Sequence, residues 1–280
     1  MLRLLLAIII AATTAFMSFA QQAEDTEYLK LVEKADSAIG KADYSEAIGL
    51  LKQAMRLEPG NPTNVMLLSN TGMLHYYMGE DSLAIQTLDM AHDMAPSSVT
   101  VLLNRARVNN GIGRHSQALM DYTRITELDS TLAEPWIQKG ILQLRGGDVR
   151  GAEAALAEAE KIDPNSREIF VAKALLFSRT NRPKEALPYL NQLIKKDATA
   201  EYYAERAMCR LALDDLSGAS DDIGNGLQLA PDYADLYIAR ALLNKRRFRE
   251  KDSREDVKKA LQLGANPEYM KALGLKWESK

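Results

Sequence analysis

Apolar residues recur along this chain at helical spacing, in paired stretches separated by short polar turns, and the pair repeats at intervals close to 34 residues. Two columns of small residues mark the phase. One reads Ala35, Gly72, Ala106, Gly140, Ala174, Ala207 and Ala241; the other, twelve residues later, reads Ala47, Ala84, Ala118, Ala152, Ala186, Ala219 and Ser253. Both step by 37, 34, 34, 34, 33 and 34, so the columns stay in register through an insertion and a deletion. That makes seven copies of one unit. Turns fall between the two stretches at Gly79, Gly113 and Gly146-Gly147, which predicts a hairpin of two helices in each copy.

The other columns fit the same hairpin. Antiparallel helices interlock closely only where one residue is small, which accounts for the two ladders. Four residues before the first ladder stand bulky residues, among them Leu68, Leu102, Trp136, Phe170, Tyr203 and Tyr237. Twelve residues after the second stand Pro59, Pro96, Pro164 and Pro231, where a missing amide proton ends one helix before the next begins. A single hairpin cannot bury its apolar face, so the copies must stack.

These columns resemble the tetratricopeptide repeat. The fourth copy fits best, with Trp136, Gly140, Gly147-Asp148, Ala152, Leu156, Ala159 and Pro164 at the positions of the family pattern. The resemblance implies an all-α, right-handed α-solenoid of about seven stacked hairpins, spanning 28–61, 65–98, 99–132, 133–166, 167–200, 200–233 and 234–267. One continuous solenoid over 28–267 is expected rather than two domains. A lead-in covers 21–27, and 268–280 form a short capping helix and tail, opened by Asn266-Pro267 and closing the stack with Tyr269, Met270, Leu273 and Trp277. Three copies depart from the pattern through Pro188, Ile125 and Ser253, and are expected to be the least regular. Pro188 in particular should kink its helix or delay its start.

Residues 1–20 have another grammar. Arg3 supplies a positive charge, Leu4 to Ala12 an apolar run, and Ser18-Phe19-Ala20 a small-x-small site, the layout of a secretory signal peptide. An uncleaved anchor is the competing reading of the 17 residues from Leu4 to Ala20. Cleavage would place the chain in the periplasm of a cell with two membranes and outside a cell with one. It would also carry off Arg3, moving the net charge from −3 to −4. That balance, with export, argues against nucleic acid as a partner. No later stretch is apolar enough to span a bilayer, although peripheral association with the envelope is compatible with the sequence.

Candidate chemistry is sparse. His75, His92 and His115 sit apart with no metal-ligand spacing, and read as single helix-surface histidines. The glycines are explained by the turn column rather than by a phosphate loop. Cys209, the single cysteine, falls on a packed helix and reads as a buried, inert thiol. No catalytic residue, cofactor or metal is therefore expected. Just before the first ladder stand Lys34, Thr71, Arg105, Lys139, Lys173, Arg206 and Arg240; three residues after the second stand Leu50, Thr87, Asp121, Ala155, Tyr189, Asp222 and Asp256. Arginine and aspartate occur in the same three copies, which predicts an exposed ion pair inside each of those hairpins. A basic run from Lys245 to Lys259 reads as a solvated helix, with an acidic partner or an anionic membrane as the alternative.

In the family the first helix of each hairpin lines the concave face where ligands dock. On that wall the resemblance implies a partner-binding set of Met66, Met73, Tyr76, Tyr77, Ile141, Leu175 and Met208. From the fourth copy onward this stripe reads either as a groove or as packing between neighbouring first helices. The expected function is a non-catalytic envelope scaffold for a protein or peptide partner. The alternative is a chaperone-like accessory of an envelope assembly or secretion machine.

Overall fold

A computed structural model describes residues 26–277. The expected signal segment, residues 1–20, and the lead-in up to residue 25 lie outside the described residues. Within them the chain is all-α, with fifteen helices and no strand. Two compact units divide between Ser130 and Thr131. The first holds three hairpins: α1 (Glu27–Gly40) with α2 (Tyr44–Leu57), α3 (Asn64–Tyr77) with α4 (Asp81–Met94), and α5 (Val99–Gly111) with α6 (His115–Leu128). The second holds α7 (Ala133–Arg145) with α8 (Val149–Ile162), α9 (Arg167–Arg179) with α10 (Pro183–Lys196), α11 (Ala200–Ala212) with α12 (Leu216–Leu229), and α13 (Ala234–Arg246) with α14 (Glu250–Gln262), followed by the short α15 (Pro267–Ala272). Inside each unit successive hairpins pack on one another, which is the stacking of an α-solenoid.

Every residue of both ladders is buried. The glycines show why size governs the column. A Cβ on Gly72 would sit 2.6 Å from Leu88 Cγ, and one on Gly140 would sit 2.8 Å from Leu156 Cγ, so the partner helix presses its leucine into the missing methyl. Ser253, the polar exception, donates its hydroxyl to the carbonyl of Ala241 at 2.8 Å, joining one ladder to the other.

The hairpin turns are built alike. In all seven the residue seven beyond the first ladder has positive φ: Ala42, Gly79, Gly113, Gly147, Asn181, Asp214 and Phe248. The following amide donates back to the carbonyl five residues earlier at 2.7–2.9 Å, as in Arg114 to Asn109 and Arg249 to Asn244. This is the left-handed helix stop that glycine fills at least cost. Side-chain caps open the helices, with Asp43, Asp148 and Asp215 accepting from the third amide of α2, α8 and α12.

The expectation that the departing copies would be irregular is not met. Ile125 is fully buried in α6, and α10 starts at Pro183 and runs through Pro188 without interruption. Pro183 needs no amide partner in the first turn. Pro188 and Lys184 lie on the exposed side of α10, so water can take the carbonyl that proline leaves free.

The three arginine–aspartate pairs form inside their hairpins. Arg105 holds Asp121 with Nε at 3.0 Å and Nη2 at 2.7 Å, Arg206 holds Asp222 at 3.0 and 2.6 Å, and Arg240 holds Asp256 at 2.9 and 2.6 Å. They are not surface pairs, as the spacing suggested. The aspartates are only 4%, 0% and 5% exposed, because the second helix packs that face against the first. Asp222 also receives Arg210 at 2.8 Å, and Asp256 receives Asn244 at 2.9 Å. One lysine copy finds a substitute outside the column: Lys173 reaches the carboxylate of Glu160 on α8 and lies 5.4 Å from the ring of Tyr189.

The far end of the second unit is closed by Met270 and Leu275, both buried, with Leu273 and Trp277 half-buried against Ile238, Ala241, Val257 and Ala260. Tyr269, expected among them, points outward instead, half exposed.

Candidate interaction surface

In the first unit the candidate residues lie along one side of α3. Met66, Met73 and Tyr77 are spaced by seven and four, hence on one stripe, with Tyr76 one step round. Met66 and Met73 are half-buried. Tyr76 and Met73 pack with Ile112 against Ile85, Leu88 and Val108, and the hydroxyl of Tyr76 occupies space that a Cβ on Gly111 would claim at 2.1 Å. Tyr76 is thus a seam residue between two hairpins. Tyr77 is 43% exposed and makes a small aromatic shelf, its ring 5.8 Å from that of Tyr44 and 6.1 Å from that of Tyr76. Burial pushes its phenol above the usual tyrosine range, and Arg107 partly offsets this.

In the second unit Ile141, Leu175 and Met208 each follow a ladder residue and are half-buried. The residues three before and four after the ladder, on the same side of these helices, divide between the two readings. Ile137, Ala204, Leu211 and Ile238 are buried and belong to the core, whereas Val171 stays open. Ile141 and Met208 rest on core clusters, so they form shoulders of packed structure rather than the floor of a groove.

Sequence reasoning missed an acidic group beside those shoulders. Six residues before the first ladder the second unit carries Glu134, Glu168, Glu201 and Asp235, where the first unit carries Leu29, Met66 and Thr100. This column starts each first helix and complements its dipole, and Glu168 also accepts from the cap Ser166 at 2.8 Å. Around Glu205 the charges crowd. Its carboxyl is pushed above the usual range by burial, then by Asp235 and Glu201, with Ser178 and Arg179 opposing. Tyr233 is pushed up to about 12 by burial and then by the same acids, and Tyr269 rises for related reasons. Aligning the acidic column by copy would have found Glu201 and Asp235. Nothing in the sequence shows that Tyr233 and Tyr269 stand near them.

The histidines are not all surface groups. His75 is buried and its Nδ1 lies 2.6 Å from Glu80 Oε2 across the turn, while His115 Nδ1 lies 3.2 Å from Asn110 Oδ1. Cys209 is buried, its thiol pushed up by burial, 3.7 Å from Ser178 Oγ. Among the described residues no group of three or more His, Cys, Asp or Glu is placed to hold a metal, and no helix is long and apolar enough to cross a membrane.

A sequence profile of the tetratricopeptide repeat matches residues 137–201. A tetratricopeptide repeat protein from Parabacteroides merdae is 26% identical and superposes with a TM-score of 0.66, covering 88% of this chain and 96% of its own. YrrB, described as a tetratricopeptide repeat protein with an unusual peptide-binding site, is 18% identical with a TM-score of 0.54, covering 67% of this chain and 97% of its own, a likeness of fold alone. The DnaJ homolog subfamily C member 7 homolog of Schizosaccharomyces pombe is 25% identical over 233 residues, which is 81% of this chain but 43% of that relative. The chain therefore spans less than half the length of that curated relative.

Proposed function

We propose that this chain, which belongs to the tetratricopeptide-repeat family, is a non-catalytic scaffold of the cell envelope that holds a protein or peptide partner on the first-helix side of its hairpins. The observation that carries this reading is Tyr77. It is a half-exposed ring at the end of α3, steadied by Tyr44 and Tyr76, with the adaptable side chains of Met73 one turn and Met66 three turns back along the same stripe. A rigid aromatic with a polar tip, beside methionines, is the composition of an interface anchor. In the second unit the half-buried Ile141, Leu175 and Met208 and the carboxylates near Glu205 suit a partner segment that alternates apolar and basic residues. The envelope assignment rests on the signal layout of residues 1–20.

A second reading is a chaperone-like accessory of an envelope assembly or secretion machine, engaging unfolded clients through the same residues. A photo-crosslinking amino acid at position 77, used in living cells, separates the two. One stoichiometric adduct supports the scaffold, a spread of unfolded clients supports the chaperone, and the absence of any adduct overturns both. Tyr77→Ala should abolish capture while the melting temperature barely moves. N-terminal sequencing of the native protein tests export, with Gln21 as the expected first residue.

A further inference from the structure

The seven turns allow an internal comparison that singles out one residue. At the left-handed position three copies use glycine, one asparagine and one aspartate, which are the residues that tolerate this backbone, and one uses the small Ala42. The last copy uses Phe248, with φ of 58°. The conformation is enforced there as elsewhere, since the amide of Arg249 donates to the carbonyl of Asn244 at 2.8 Å. A bulky residue in this region is a strained outlier. Phe248 is also 93% exposed, so its ring gains nothing from packing. The position thus carries a backbone penalty and a hydration penalty with no return inside the fold.

Its surroundings are basic. Lys245, Arg246, Arg247, Arg249, Lys251 and Arg254 stand within six residues of the ring. The acids in this stretch are Glu250, Asp252, Glu255 and Asp256, and the last is buried on Arg240. From the neighbouring hairpin the exposed Asp214 meets Arg246 at 3.1 Å. Lys245 and Arg247 donate to the carbonyls of Gly274 and Leu216 at 2.6 and 3.0 Å. The dipole of α13 accounts for Lys245 and Arg246 in its last turn. It does not account for an exposed phenylalanine.

We propose that the α13–α14 turn is a membrane-surface anchor, in which Phe248 enters the interface of an anionic phospholipid bilayer while Arg246, Arg249 and Lys251 meet the headgroup phosphates. The ring stands at the apex of a hairpin rather than lining a cleft, so a flat interface receives it without a matching pocket. Arginine and lysine around an apolar tip match the charge of anionic lipid. This inference is independent of the scaffold reading, because it concerns the turn and not the first-helix side.

Sedimentation of the full chain with vesicles tests it, comparing pure phosphatidylcholine with phosphatidylcholine containing about one third phosphatidylglycerol. The wild type should bind the anionic vesicles and lose binding as salt rises. Phe248→Asn should bind about tenfold more weakly, from the lost burial of the ring. Arg249→Gln should bind about fivefold more weakly, from one lost surface charge. Phe248→Asn should also melt at a higher temperature, because asparagine tolerates the left-handed turn, so weaker binding could not be blamed on unfolding. All proteins share residues 1–25, and their difference therefore reports the turn. Equal binding by wild type and Phe248→Asn, or no preference for anionic vesicles, overturns the proposal. So does a protein adduct at position 248 from a chain that ignores anionic vesicles.

Discussion

The hairpins α7–α8 and α11–α12 occupy equivalent places in the repeat but hold themselves together differently. The second helix of the former, α8, is rich in alanine and buries Ala152, Ala155, Leu156 and Ala159, with Leu156 and Ala152 against Gly140 and no ion pair in the column. Its counterpart α12 contains Gly218, Gly224 and Gly226, and glycine is about 1 kcal/mol poorer than alanine in a helix. There Arg206 and Arg210 converge on Asp222, and Arg210 also donates to the carbonyl of Gly218 at 2.8 Å. Local propensity secures one helix; a buried ionic tie across the hairpin secures the other.

The largest effect should come from cutting that tie. Asp222→Ala leaves Arg206, whose side chain is only 14% exposed, without its carboxylate, and breaking a buried pair costs about 3–5 kcal/mol. Replacing Arg206 and Asp222 together, as Arg206→Met with Asp222→Leu, should recover more than half of that loss in chemical denaturation, since apolar substitutes for a buried pair are often neutral and Arg210 keeps Asp215 and the carbonyl of Gly218. A loss below about 1 kcal/mol for Asp222→Ala would mean the pair behaves as a surface bridge.

The alanine-rich hairpin should break at its glycine. In Gly140→Ala the new methyl lies 2.8 Å from Leu156 Cγ and 3.3 Å from the carbonyl of Ala152, which is backbone and cannot yield cheaply. Overpacking costs about 1–3 kcal/mol, partly offset by alanine's better helix propensity, so a net loss of about 1 kcal/mol is expected. Gly224→Ala in α12 should act in the opposite sense. Nothing lies within 4 Å of its Cβ position, so the variant should gain roughly 0.5–1 kcal/mol. Thermal melts of the two variants side by side would show whether propensity really is the weakness of α12.

The contrast also shows what a sequence can disclose. The ladders were legible because a requirement for small size leaves its mark in residue identity at a fixed period. The depth of Asp121, Asp222 and Asp256 was not, because it depends on how closely the helices approach. Tyr76 and Tyr77 make the same point for the candidate site. The two rings are neighbours of identical chemistry, yet one is seated over Gly111 of the next hairpin and the other is open to solvent. That difference is set by a residue 35 positions away from Tyr76. Phe248 is hidden inside the basic run, because only the backbone shows that its place is the left-handed position of the seven turns. The group at Glu205 draws on α9, α11 and α13 with the segments beside them, and no single stretch of chain announces it.

The smallest effect concerns that group and completes the comparison, because α7 carries Gln138 where α11 carries Glu205. Glu205 keeps more than a third of its surface in solvent, yet partial burial of its carboxyl, then Asp235 and Glu201, raise it in the folded protein, so folding weakly favours its protonated form. The sign follows. Below the ordinary carboxylate range, about pH 4, the group is protonated in both folded and unfolded chains and costs nothing. As pH rises through the elevated folded pKa, ionisation becomes easier in the unfolded chain, and stability is lost. Glu205→Gln removes this term while keeping shape and the hydrogen bond with Ser178. Its melting temperature should exceed that of the wild type at pH 7.5 by a small margin, and the two curves should converge near pH 4. A variant less stable than the wild type at pH 7.5 would show instead that attraction to Arg179 outweighs crowding by Asp235 and Glu201, and that the second unit gains stability from its carboxylates there.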